Sequence, residues 1–202
     1  MDDLDAALDS IRTMRSHLAR SADFRFYGPA AIGASGLLAV IAAWLQARFI
    51  PVPAAHLVTY VGLWAGTAVL ACAIIGTDVC LRARRTHSGL ADEMVYEAAG
   101  QLLPAGAAGA LLTFVLIISA PQSGWMLPGL WQIILSLGVF SASRTLPPAM
   151  RLVGFWYAAS GLACLALGQG AHSLSPWAMG LSFGFGESLA ALIIASTGGP
   201  HE

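Results

Sequence analysis

Six stretches of mainly apolar residues, near 29–47, 57–79, 102–120, 127–144, 151–168 and 176–195, run through this chain of 202 residues. About 20 apolar residues in a helix cross a bilayer core of roughly 30 Å. Each stretch therefore has the length of one span, and together they take up well over half of the chain. Charged residues make up 10% and hydrophobic ones 57%, whereas soluble domains carry about a quarter charged residues. That balance excludes a soluble globular domain, a disordered chain and a secreted disulfide scaffold. The sequence predicts an all-α, polytopic membrane protein with six transmembrane helices.

Pro29, Pro104, Pro128 and Pro176 stand at or near span starts, where a missing N–H costs least. Residues 49–56, 121–126 and 169–175 are short connections carrying Pro, Gly or Ser; the long one, 80–101, holds Arg82, Arg84 and Arg85 and then a short amphipathic helix from about Ser88 to Gly100. The division is 1–25 as an N-terminal amphipathic helix, 26–198 as the bundle and 199–202 as a tail. With six crossings, nine of the ten arginines fall on one side and only Arg48 on the other. Arginine marks the cytoplasmic side, so both termini are expected there, in the inner membrane of a bacterium. Four aspartates in residues 1–9 are the opposite of a basic leader, so no cleavable signal peptide is predicted.

Leu4, Leu8, Ile11 and Leu18 recur at helical spacing in residues 2–20, with acids first and arginines last, which suits the helix dipole. This helix rests on headgroups or on the bundle, or docks a cytoplasmic protein partner. PAAIGASGLLAV, PAGAAGALLTFV and VGFWYAASGLACL open three successive helix pairs, suggesting triplicated hairpins. Gly62/Gly66 and Gly180/Gly184 form GxxxG pairs. In lipid, such residues let helices approach closely, within the bundle or across a homodimer seam.

The inventory excludes much else. Formal net charge is −1, so no nucleic-acid partner is expected. There is no Lys, hence no Schiff base, and no Asn, hence no N-glycosylation acceptor. Cys72, Cys80 and Cys164 lie in or at the ends of apolar spans without metal-ligand spacing, and read as small buried hydrophobes. No Walker loop, GxSxG, HExxH or dinucleotide fingerprint occurs. His56 and His172 near the outer face are the one pair that would suit a haem; no cofactor and no metal are predicted. Asp78, one turn before Arg82, reads as a juxtamembrane ion pair.

Glu187 is the most informative residue. It stands eleven positions past Pro176, near mid-bilayer at about 1.5 Å per residue, where a charged group costs roughly 2.5–3.5 kcal/mol to insert. It should be protonated, or hydrogen-bonded inside the bundle. Thr67, Thr113, Ser136, Tyr157 and Ser160 lie at similar depth as candidate partners. A ligand or proton site and a packing carboxyl are the two readings. Gln132, just after Trp131, could line a cavity or bond to a neighbouring helix. Trp131, Trp156, Tyr157 and Phe183, with Phe155 and Phe185, could wall an apolar pocket around Glu187, as small-ligand sites are built, or pack the core. Trp125 and Trp177 belong to the outer interfacial belt.

MLPGLWQIILSLGVFSASRTLPPAM, GFWYAASGL and PWAMGLSFGFGESLAALIIASTGG resemble a bacterial family of small multi-span membrane proteins, over about 130 residues. The resemblance implies a gene neighbour encoding a winged-helix transcriptional regulator and brings no established activity. Relatives often carry a His near the positions of Glu187 and Ser188, a point at which this chain departs from them.

Three functions compete. The first is a non-enzymatic accessory or sensory membrane protein that binds a small apolar ligand or a protein partner. The second is a small proton-coupled transporter using Glu187. The third is a membrane haem protein or enzyme.

Overall fold

The computed structural model describes residues 28–85, 90–143 and 146–197. The expected N-terminal amphipathic helix, with Leu4, Leu8, Ile11 and Leu18, lies outside the described residues, as do the C-terminal tail and the placement of both termini. Among the described residues there are six α-helices: α1 (Pro29–Phe49), α2 (Leu57–Arg85), α3 (Leu90–Ser119), α4 (Leu127–Ala142), α5 (Met150–Leu167) and α6 (Pro176–Thr197). Short 3-10 helices, Pro53–His56, Pro121–Met126 and Gly170–His172, join α1 to α2, α3 to α4 and α5 to α6. All three gather at one end, hereafter the turn end: Leu57 lies against Gly124, and Trp125 against Gly168.

Among the described residues five helices are long and apolar enough to cross a membrane, and α3 contributes the shorter apolar run Leu103–Ser119. The chain is a multi-pass membrane protein. Leu37, Leu111, Leu137, Leu162, Leu181 and Leu192 are each more than half exposed, while Ser35, Gln46, Gln132, Ser136 and Ser182 are buried. Apolar outside and polar inside is what hydrocarbon as solvent selects, because a polar group facing lipid has no partner there.

One boundary differs from expectation. The short helix expected before Gly100 and the third span form one continuous helix, with Pro104 inside it. Proline removes one backbone bond and crowds the carbonyl four residues back. That residue is Gly100, where an added Cβ would meet nothing within 4 Å, and Glu97, Ala98 and Ala99 before it are good helix formers.

Each helix packs against its neighbour in sequence, and α6 closes the ring onto α1, the most extensive contact among the described residues. The α4–α5 contact is second and the α2–α3 contact much thinner. The two largest contacts thus run between the expected hairpins. The α1–α6 seam is antiparallel and built on small residues: Ala43 meets Gly180, Val40 meets Gly184, and Gly36 meets Gly184 and Glu187. The buried face of α1, Ile32, Ser35, Gly36, Ala39, Ala42, Ala43 and Gln46, repeats every three to four residues, as one face of a helix must. In α4 and α5, Gly129 and Gly161 meet backbone to backbone; a Cβ on Gly129 would stand 2.7 Å from the Gly161 carbonyl. Of the two GxxxG pairs, Gly180/Gly184 is consumed by this packing, whereas Gly62 and Gly66 have nothing within 4 Å of where a side chain would start.

At the end away from the turns, the ion pair expected from the sequence forms: Arg82 Nε lies 2.8 Å from Asp78 Oδ2. The same oxygen accepts from the Gly28 N–H at 3.0 Å, tying the start of α1 to α2.

Candidate functional site

Glu187 sits halfway along α6, on the face that meets α1. Gly36 makes this position habitable: a Cβ there would stand 2.9 Å from the Cβ of Glu187, so the carboxyl stem occupies the space of the missing side chain. One residue earlier, Ser35 places its hydroxyl 3.2 Å from Glu187 Oε2. From α5, the Tyr157 hydroxyl donates to Oε1 at 3.1 Å. The tip of Tyr157 reaches α6 where Gly186 has no side chain; a Cβ there would stand 2.6 Å from the phenolic oxygen. The Phe183 ring covers Tyr157 at 5.2 Å between centroids.

Three helices therefore meet at one carboxyl, with both oxygens occupied. The Ser35 hydroxyl also stands 2.7 Å from the Ile32 carbonyl, and a hydroxyl has one hydrogen to donate. With that hydrogen on Ile32, the contact at 3.2 Å is completed when the carboxyl carries its own proton and Ser35 accepts. Among the described residues no Arg or His pairs with Glu187. The cluster is chemically a holder for one proton.

A second polar layer lies near the turn end. Gln46, fully buried, donates from Nε2 to the Leu174 carbonyl at 2.7 Å and accepts at Oε1 from Trp64 Nε1 at 2.8 Å. Leu174 has a φ of 56°, in the left-handed region that side chains disfavour. Gln132, also fully buried, donates from Nε2 to the Ala178 carbonyl at 3.1 Å, with Cys164 Sγ at 3.5 Å. Trp131 donates to Thr113 Oγ1 at 2.8 Å and stacks on Tyr60, the centroids 6.3 Å apart. The first two hairpins thus share one tie, a tryptophan in the second helix donating to a polar side chain 18 residues earlier.

The residues singled out from the sequence divide between these layers. Glu187, Tyr157 and Phe183 come together. Trp156 stands beside them but donates to the Ser182 carbonyl at 2.8 Å and packs on Phe185. Gln132 and Trp131 belong to the layer at the turn end, eight residues away along α6. Of the five hydroxyls expected near Glu187, Tyr157 alone reaches it; Thr67, Thr113, Ser136 and Ser160 bond to carbonyls of their own helices. Ser35 and Gln46 carry roles that the sequence reading missed. Ser35 was legible only through the antiparallel register that sets it beside Glu187. His56 is exposed in the first turn and His172 in the third. No cluster of three His, Cys, Asp or Glu residues suited to a metal occurs among the described residues.

No protein-family model, curated protein or solved structure matches the chain, and the reading of the site rests on its geometry.

Proposed function

We propose that this chain is a non-enzymatic accessory or sensory protein of a bacterial inner membrane, whose responsive element is the joint made by Glu187, Tyr157 and Ser35. The observation that supports this reading is the convergence of α1, α5 and α6 on one carboxyl at the depth where charge is most costly. The joint lies in the contact that closes the helix ring, so a change in proton occupancy, or a ligand or partner that displaces Tyr157, acts on α6 and α1 together. A two-state element biased at one point is what a sensor requires.

A small proton-coupled carrier is the second reading, favoured by the place of Glu187 at mid-span. Against it, the buried hydroxyls of Ser136 and Ser182 donate to their own helices instead of linking into a path.

Reconstitution into vesicles that carry a pH gradient and an entrapped pH dye separates the two. The sensory reading expects no dye response above protein-free vesicles, together with a pH-dependent change in tryptophan fluorescence that Glu187→Gln abolishes. Flux that Glu187→Gln abolishes would establish the carrier. A fluorescence signal that ignores pH in both proteins would reduce the joint to packing.

A further inference from the structure

Two buried polar atoms lack a hydrogen-bond partner among the described residues: the Tyr60 hydroxyl and Gln132 Oε1. Both side chains are 0% exposed, and an unpaired buried group bears its full desolvation penalty. The two are complementary, for a phenol donates and an amide carbonyl accepts. They come from α2 and α4 and converge on the same surroundings. Gln132 Nε2 lies 3.5 Å from Cys164 Sγ and 3.8 Å from Met179 Sδ. The Tyr60 ring stacks on Trp131, the residue before Gln132, with centroids 6.3 Å apart, and belongs to the same apolar cluster as Met179. Tyr60 is the fourth residue of α2, Gln132 the sixth of α4 and Met179 the fourth of α6, while Cys164 lies three before the end of α5. The group is thus roughly 5–9 Å inside the turn end.

We propose that Tyr60 and Gln132 form a binding site for one small neutral guest bearing a hydroxyl, which accepts from the Tyr60 hydroxyl and donates to Gln132 Oε1. The neighbouring Cys164 thiol is a weak third partner, which brings the site within the two to four polar contacts that hold an internal water. Indole, thioether, thiol and amide surround it, and none carries a formal charge, so the site selects a neutral molecule. Water is the smallest such guest and a short alcohol the other source. The inference does not depend on Glu187, two turns further along α6.

Thermal unfolding of the full chain in lipid nanodiscs tests it with Tyr60→Phe, Gln132→Met and the double variant. If a guest bridges the two residues, Tyr60→Phe lowers Tm by a few degrees. The double variant then loses less than the sum of the two, because either change expels the same molecule. Ethanol at low concentration separates the sources: a rise in wild-type Tm that Tyr60→Phe abolishes assigns the site to alcohols, and coupling without an ethanol response assigns it to water. If Tyr60→Phe leaves Tm unchanged or raises it, and the two changes add, the proposal is overturned, since deleting an unpaired hydroxyl would then relieve a cost.

Discussion

Tyr157 donates its phenolic hydrogen to Glu187 Oε1 across 3.1 Å, joining α5 to α6 at the level where Gly36 leaves room for the carboxyl stem. Hydrogen bonds between membrane helices are worth about 0.6 kcal/mol on average and up to ~1.7, because the separated helices also find partners. Tyr157→Phe should therefore cost about 0.5–1.5 kcal/mol in an unfolding titration in mixed micelles. Glu187→Gln keeps an acceptor for Tyr157 and a donor for Ser35 and should fall within about 1 kcal/mol of wild type. Glu187→Leu strands the phenol and should cost roughly 1–3 kcal/mol. If the Gln variant proves as damaging as Leu, the hydrogen-bonding account of the cluster is wrong.

The glycines divide into those the fold uses and those it leaves open. Gly36→Ala places a methyl 2.9 Å from the Cβ of Glu187 and 3.3 Å from the Gly184 carbonyl; overpacking of that kind costs about 1–3 kcal/mol. Gly62→Ala meets nothing within 4 Å and should leave the fold unchanged or stabilise it by up to about 1 kcal/mol through helix propensity. The same titration on both variants checks the contrast, and equal losses would contradict the α1–α6 register.

Gln46 clamps the last turn of the chain. Leu174, with its φ of 56°, stores roughly 1–3 kcal/mol of backbone strain, and its carbonyl is held by the Gln46 amide. Gln46→Leu strands that carbonyl and the Trp64 N–H, for a combined cost of about 2–4 kcal/mol, and should expose residues 168–175 to limited proteolysis. Leu174→Gly relieves the strain but forfeits a side chain only 3% exposed, worth about 1.5–3 kcal/mol. The two effects are of similar size, so this variant should stay within about 1.5 kcal/mol of wild type.

The spans were legible because lipid imposes length and apolarity directly: Pro29 and Pro176 begin α1 and α6 as their fixed φ suggests. Glu187 was legible from depth alone, and Tyr157 as a hydroxyl at the same depth. Pro104 stands inside α3 and does not mark a helix start. Ser35 was hidden among Gly and Ala, where it reads as one more small seam residue; its role follows from which helix lies opposite, a tertiary fact. Gln46 stands near the end of a span, where nothing in the sequence tells that the turn before α6 folds over it. Trp131 and Gln132 lie apart from Glu187, on Thr113 and the Ala178 carbonyl. Shared apolarity cannot say which face of α4 meets which neighbour, and α4 delivers both residues to the turn end.

In the proposed sensor, Glu187 governs how α6 rests on α1. Leu37 on α1 and Leu181 on α6 are each 61% exposed and accept spin labels in a background freed of Cys72, Cys80 and Cys164. Distance distributions in nanodiscs, recorded in acidic and in alkaline buffer, should differ in the wild-type site and coincide once Glu187→Gln is introduced. Identical distributions at both pH values with Glu187 intact, or a shift that survives its replacement, would contradict the claim.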